Sequence, residues 1–212
     1  MEVAERARIA LLLAQEPVSK ETSLNELLHI VPTIYTNTLN TVNLGINDIS
    51  FKRIISQIRK ASTVDIYGIG ITYTCAMTAK FKLQSLGINC NTYTGINEHY
   101  IRSTRKERNR VAIVLSFTGT NNAMTEIAQY LKVSGVFVIG IGGNESAVLQ
   151  QYCDEYIEFT AQQLILSMEV MAPFIAITYV FDLLFTALLV ADFENNVDAA
   201  LDVIHFRKEI LD

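Results

Sequence analysis

The sequence predicts an α/β fold: a three-layer αβα sandwich around a five-stranded parallel sheet, order 2-1-3-4-5, preceded by an N-terminal helical linker. Three observations carry that prediction. From residue 62 onward, short β-rich runs alternate with helical stretches, the pattern of a parallel sheet covered on both faces. The run Val111–Leu115 is apolar throughout, as a buried strand requires, and breaks abruptly into hydroxyl residues. Two helical stretches stop at Gly87 and Gly135, each leading straight into another β-rich run. Right-handed crossovers between parallel strands then make 2-1-3-4-5 the simplest order.

Taken in order, Glu5–Gln15 reads as a short amphipathic helix ended by Pro17. Ser23 to about Thr41 and Ser50–Ala61 read as two further helices, the second with Ser50 as its N-cap. Their apolar stripes (Leu24, Leu27, Leu28, Val31) need a partner surface, because such helices are not stable alone. The first strand is Val64–Tyr67, followed by the turn Gly68–Thr72 and a helix from about Tyr73 to Ser85. A second strand, Ile88–Tyr93, leads to Thr94–His99 and a short helix. The third strand, Val111–Leu115, gives way to the turn Ser116–Asn121 and a helix to about Val133. Val136–Ile141 is the fourth strand, leaving at Gly142-Gly143-Asn144, and Glu155–Phe159 is the fifth. Ser146–Tyr152 reads as a short helix between them. A long apolar helix, Leu164–Val190, and a polar amphipathic one, Asn196–Ile210, close the chain.

In sheets of this kind ligands bind beyond the carboxyl ends of the strands, where the strand order reverses. The turns Gly68–Thr72, Thr94–His99 and Ser116–Asn121 all fall at such ends, and the predicted order sets the first and third side by side. The third is the most informative. A hydroxyl-rich turn with one glycine, placed at a helix N-terminus, offers unpaired backbone N–H groups and the positive end of a dipole to an anion. Ser116, Thr118 and Thr120 can add hydroxyl donors. No lysine or Mg²⁺-binding carboxylate sits in the turn, so the nucleoside-triphosphate P-loop is excluded and a small phosphomonoester fits better.

Composition narrows the class. The 212 residues are half hydrophobic, with net charge −5, enough for a packed core and contrary to nucleic-acid binding by this chain. The one compact basic run, Arg102, Arg105, Lys106, Arg108 and Arg110, reads as a solvated loop or a charged rim near a ligand. Cys75, Cys90 and Cys153 are too scattered for a zinc site and suit a reducing cytoplasm; His29, His99 and His205 are equally dispersed, so no metal is expected. No secretory signal is read at the N-terminus. Val170–Ala191 has about the length that crosses a bilayer, but Asp182 at its middle is costly in lipid, so a helix buried inside the protein is expected and no membrane.

The order of strand, Gly68-Ile69-Gly70-Ile71-Thr72, second strand, then Ser116-Phe117-Thr118-Gly119-Thr120-Asn121 resembles the SIS (sugar isomerase) fold over about residues 22–192. That family's phosphate turn reads Ser-x-Ser-Gly-x-Thr, so Ser116, Thr118 and Asn121 stand at its three side-chain positions. Its first turn, usually Gly-x-Gly-x-Ser, is matched by Gly68, Gly70 and Thr72. The closest likeness is to the effector half of RpiR-type sugar-phosphate-responsive regulators. Glu98-His99 stands where those often carry Pro-His, and Glu169, Met171 and Ala172 resemble the start of their penultimate helix. The departures are Asn121 for Thr, Thr118 for Ser, and Pro173-Phe174 where the regulators commonly have Ser-Arg.

The resemblance implies a phosphosugar-binding domain over residues 22–212. Residues 1–21 would then be the remnant of an upstream helix-turn-helix domain, or a linker from it. It implies a sugar phosphate held by Gly70, Thr72, Ser116, Thr118, Gly119, Thr120 and Asn121, with Glu98, His99 and Glu169 reaching the sugar hydroxyls. A non-catalytic sensor is expected, without cofactor, acting as a homodimer or homotetramer and meeting DNA only through a helix-turn-helix domain. The alternative is an aldose–ketose isomerase, with the base and acid drawn from Glu98, His99 and Glu169.

Overall fold

The structure, a computed structural model, describes residues 16–107, 109–145, 147–160 and 170–211. The expected helix Glu5–Gln15, and Glu169 with the start of the long apolar helix, lie outside the described residues.

Among the described residues, two helices precede the sheet. Helix α1 (Leu24–Gly45) opens on a capping box: Ser23 Oγ accepts from the Glu26 N–H, and the Glu26 carboxylate accepts from the Ser23 N–H at 2.6 Å. Helix α2 (Asp48–Lys60) starts earlier than expected. Asn47 Oδ1 accepts from both the Ile49 and Ser50 N–H groups at 3.0 Å, so Asn47 is the N-cap and Ser50 lies inside the helix. The Ser50 hydroxyl donates instead to Glu155 on the far strand.

The sheet comprises β1 (Thr63–Tyr67), β2 (Cys90–Thr92), β3 (Arg110–Ser116), β4 (Phe137–Gly143) and β5 (Glu155–Phe159). All pair in parallel in the order β2-β1-β3-β4-β5, as the crossover argument predicts. Strand β2 is shorter than expected because it is an edge strand, pairing only with Val64–Ile66, and Tyr93 leaves the ladder to donate its hydroxyl to Asp65. Helices α3 (Ile71–Ser85), α4 (Ile96–Ser103) and α5 (Asn122–Val133) form the crossovers. Gly87 and Gly135, at φ 74° and 75°, stop α3 and α5, and the Ile88 and Val136 N–H groups bond back to Leu83 and Leu131. Among the described residues between β4 and β5, the expected helix is a 3₁₀ turn, Gln150–Tyr152.

Alternation along the strands builds two cores. Val64, Ile66, Ile113, Leu115 and Ile139 face α2, α3 and α6 (Met171–Ala191), whereas Tyr67, Ala112, Val114 and Val138 face α5. Helix α6 is long and apolar enough to cross a membrane by length and composition, but here it packs on α1, α2, α3 and β4. It buries Ile177, Val180, Phe181, Leu184 and Leu188, and Asp182 looks outward to an ion pair with Lys82. Helix α7 (Phe193–Leu211) follows.

Candidate functional site

Strands β1 and β3 are neighbours, so the turns that follow them open onto one crevice of about 170 Å³, lined by residues that include Ile69, Thr72, Leu115, Ser116, Thr118, Asn121 and Met124. Helices α3 and α5 both begin here. Their positive dipole ends converge on the crevice, each favouring an anion by about 0.3–1 kcal/mol.

The turn after β3 is wound on its own hydroxyls. Ser116 Oγ, almost fully buried, accepts from the Gly119 N–H at 3.1 Å. Thr118 Oγ1 accepts from the Thr120 N–H at 3.3 Å and lies 2.6 Å from Thr120 Oγ1. Asn121 caps α5, its Oδ1 accepting from the Met124 N–H at 3.1 Å, so its amide NH₂ is the group left to face a ligand. Gly119 sits at φ 78°, a left-handed conformation that carries the chain from hydroxyl turn to cap. The first-turn N–H groups of Asn122 and Ala123 have no acceptor within the helix. The result is a small concave array of N–H, O–H and amide donors that suits an oxyanion.

The turn after β1 uses its hydroxyl internally. Thr72 Oγ1 donates to the Ile69 carbonyl at 2.8 Å and accepts from the Ile69 N–H at 2.9 Å, closing a ring beneath Gly70, itself at φ 58°. Thr72 therefore fixes the crevice wall rather than extending a free hydroxyl across it. Gly68 is held just as tightly, because a Cβ there would lie 2.9 Å from the Thr72 backbone.

The structure separates the second-turn residues from the crevice chemistry expected of them. His99 is fully buried, with Tyr67 and Tyr93 edge-on to its ring. Its Nδ1 lies 2.8 Å from the Gly95 carbonyl oxygen, and its Nε2 lies 3.1 Å from the Gly68 carbonyl oxygen and 3.2 Å from the Gly68 nitrogen. His99 thus pins the first turn to α4. Glu98 is exposed, and its carboxylate accepts from the Gly95 N–H at 3.0 Å, capping α4. Neither residue lines the crevice, because both are committed to the start of α4.

The basic run divides: Arg105 and Lys106 are exposed, as a solvated loop requires, whereas its two other described arginines are not. Arg102 and Arg110 turn inward at the opposite, amino-terminal end of the sheet, around the fully buried Asp65. Asp65 accepts from Arg102 Nε at 2.8 Å, Tyr93 Oη at 3.0 Å and Asn91 Nδ2 at 3.3 Å, with Arg110 Nη1 at 3.6 Å. Burial, then the nearby Asp65 charge, holds the Tyr67 and Tyr93 phenols above their usual range, so both remain protonated. Among the described residues no group of His, Cys, Asp and Glu could hold a metal ion.

A family model for the SIS domain matches residues 57–187, more than half of the sequence and the whole span from β1 to β5. The chain belongs to the SIS domain family. Among curated proteins, none matches this SIS chain. Several solved structures share its fold. The Vibrio vulnificus NanR protein complexed with ManNAc-6P superposes with TM-score 0.77 at 14% identity, over 94% of this chain and 74% of its own. The sugar isomerase domain of an RpiR transcription factor from Sphaerobacter thermophilus gives 0.70 at 16% identity, over 82% and 98%. A Methanococcus jannaschii protein, whose structure infers a molecular function of 3-hexulose-6-phosphate isomerase, gives 0.61 at 18% identity, over 80% and 96%. At these identities the likeness establishes the fold.

The β4 glycines that lie against the hydroxyl turn of the candidate site are not among the residues expected from the sequence. A Cβ on Gly143 would fall 2.4 Å from the Phe117 carbonyl oxygen. Three glycines in Gly140-Ile141-Gly142-Gly143, inside an otherwise apolar strand, were the available signal.

Proposed function

We propose that this chain is the sugar-phosphate-sensing effector domain of a transcriptional regulator, binding a phosphorylated sugar at the Ser116–Asn121 turn and self-associating as a homodimer or homotetramer. The observation that carries this reading is the donor array of that turn, set at the N-terminus of α5 beside the start of α3. The fold's likeness to NanR complexed with ManNAc-6P and to an RpiR transcription factor supports it. So does the engagement of the expected acid–base groups: Glu98 caps α4 and His99 is enclosed against Gly68. Residues 22–212 form the binding domain on this reading, and three free cysteines suit a reducing cytoplasm.

The isomerase reading keeps a footing in the likeness to the Methanococcus jannaschii protein. Its base on this chain would be Glu169. Calorimetric titration with ManNAc-6P, fructose 6-phosphate and a hexulose 6-phosphate separates the readings when the same mixtures are assayed for aldose–ketose exchange. A sensor binds at least one phosphorylated sugar, ignores its unphosphorylated counterpart and converts none. Loss of one charge-assisted bond in Ser116→Ala or Thr118→Val weakens that binding by about tenfold or more. Turnover that disappears in Glu169→Gln would overturn the sensor, and equal binding of phosphorylated and free sugars would overturn the site.

A further inference from the structure

Strand β4 ends in glycine at positions 140, 142 and 143, and the structure gives each a neighbour where a side chain would stand. A Cβ on Gly140 would lie 2.3 Å from the Tyr156 ring, and one on Gly142 would lie 2.6 Å from Tyr156 Oη and 2.5 Å from the Ser116 carbonyl oxygen. Tyr156, paired with Gly140 across the β4–β5 ladder, therefore lies along the bare glycine face of β4. Its hydroxyl ends the reach by donating to the Gly143 carbonyl at 2.9 Å. Gly143 in turn faces the hydroxyl turn itself, with a Cβ position 2.4 Å from the Phe117 carbonyl oxygen and 3.0 Å from Thr118 Cα. Just beyond, the Glu145 N–H donates to the Thr118 carbonyl at 3.2 Å.

We infer that Tyr156 is a positioning residue for the oxyanion turn, acting through Gly143. The inference rests on the phosphate-binding reading given above. A donor array wound on its own short hydroxyls has little stiffness, since Thr118, Thr120 and Asn121 are partly or wholly open to solvent. An oxyanion site gains from donors held in place before the ligand arrives. The β4 backbone supplies that support because glycine lets it approach within contact of Phe117 and Thr118. Tyr156 fixes the height of that support, with its ring seated on Gly140 and its hydroxyl on Gly143. No part of Tyr156 needs to touch the ligand for this effect.

Tyr156→Phe removes the hydroxyl and keeps the ring in its seat, so it tests the link without emptying the core. The probe is inorganic phosphate, followed by calorimetry and by the amide resonances of Gly119 and Thr120 in ¹H–¹⁵N spectra. Tyr156→Phe should weaken phosphate about tenfold, the equivalent of one net hydrogen bond. It should also move the ligand-free Gly119 and Thr120 resonances, while the melting temperature falls by only a few degrees. Tyr179→Phe is the control, because that hydroxyl donates to Asn43 on the other side of the sheet and should leave both readouts as in the parent. Gly143→Ala, which pushes on Phe117 directly, should reproduce the resonance shifts with a larger loss of affinity. A parent that binds phosphate and a Tyr156→Phe variant that binds equally, with unmoved resonances, would overturn the inference alone. A parent indifferent to phosphate and to every sugar phosphate overturns the underlying reading, and this inference with it.

Discussion

Asp65 is the residue on which the amino-terminal end of the sheet depends. It is fully buried, it compensates Arg102 and the equally enclosed Arg110 side chain, and it accepts from Tyr93 and Asn91 as well. Replacing it with asparagine keeps the shape and removes the charge, leaving the enclosed Arg110 guanidinium without its counter-ion and Arg102 with Glu107 alone. Breaking a buried pair from one side costs about 3–5 kcal/mol, so Asp65→Asn should lose stability on that scale in urea denaturation. Nothing in the local sequence announced this: Asp65 stands in a strand and its arginines lie in a run that reads as a solvated loop, 37 and 45 positions away. Long-range charge pairing leaves no periodic trace. The cysteines make a second residue-scale prediction. Burial pushes the thiol of Cys75 up to about 11 and those of Cys90 and Cys153 up to about 12. An unfolded thiol titrates near ~8.5, so above that pH the unfolded chain sheds protons that the folded chain keeps. The thiol contribution to stability is complete below about 8.5 and is lost as pH rises towards the folded values. Denaturation midpoints should fall between roughly pH 9 and 11, and Cys90→Ala should flatten that slope. A slope unchanged in the variant would show that other groups dominate.

At the scale of the element, what the sequence disclosed depended on how local the physics was. The stops at Gly87 and Gly135, the fifth strand Glu155–Phe159 and the Ser116–Asn121 turn follow from neighbouring residues, and all stand where the pattern put them. The α2 boundary was mistaken because Asn47 and Ser50 are both good caps. Asn47 takes the role by reaching two N–H groups, while Ser50 is drawn to Glu155 across the fold. His99 was read from its place after a strand, whereas its role is decided by Gly68, Tyr67 and Tyr93, which only the tertiary structure gathers. The hydroxyl turn itself yields the element-scale prediction. Gly119 holds φ 78°, where an L side chain costs about 1–2 kcal/mol, so Gly119→Ala should destabilise the protein by roughly that amount. It should also displace the donors built around it. Phosphate titration should therefore show weakened binding beyond any fraction lost to unfolding. Parent-like affinity in a folded Gly119→Ala protein would mean that the turn tolerates another winding and is not a fitted oxyanion site.

On the whole molecule, the sheet order was legible because right-handed crossovers leave few alternatives once five strands and their helices are placed. What the pattern of a single chain shows less directly is the surface left over when that chain has packed. Helix α7 presents Phe193, Val197, Leu201 and Ile204, spaced four, four and three residues apart on one stripe and each between 39% and 56% exposed. A helix with its apolar stripe in water gains little from tertiary packing, which is where most helical stability arises. Helix α1 adds Leu24 and Leu28, both largely exposed, and Phe81 on α3 is 75% exposed. Apolar surface on this scale is what an interface between copies would bury. Self-association is therefore expected to run through α7, and sedimentation velocity across a concentration series should return a dimer or larger assembly at micromolar protein. Leu201→Glu places a charge at the middle of the stripe and should shift the distribution to monomer. Because the hydroxyl turn is built from β3, β4 and α5, whereas α7 packs chiefly on α6, that monomer should still bind inorganic phosphate. A parent that sediments as a monomer throughout, with α7 intact, would defeat the assignment of this stripe to an interface.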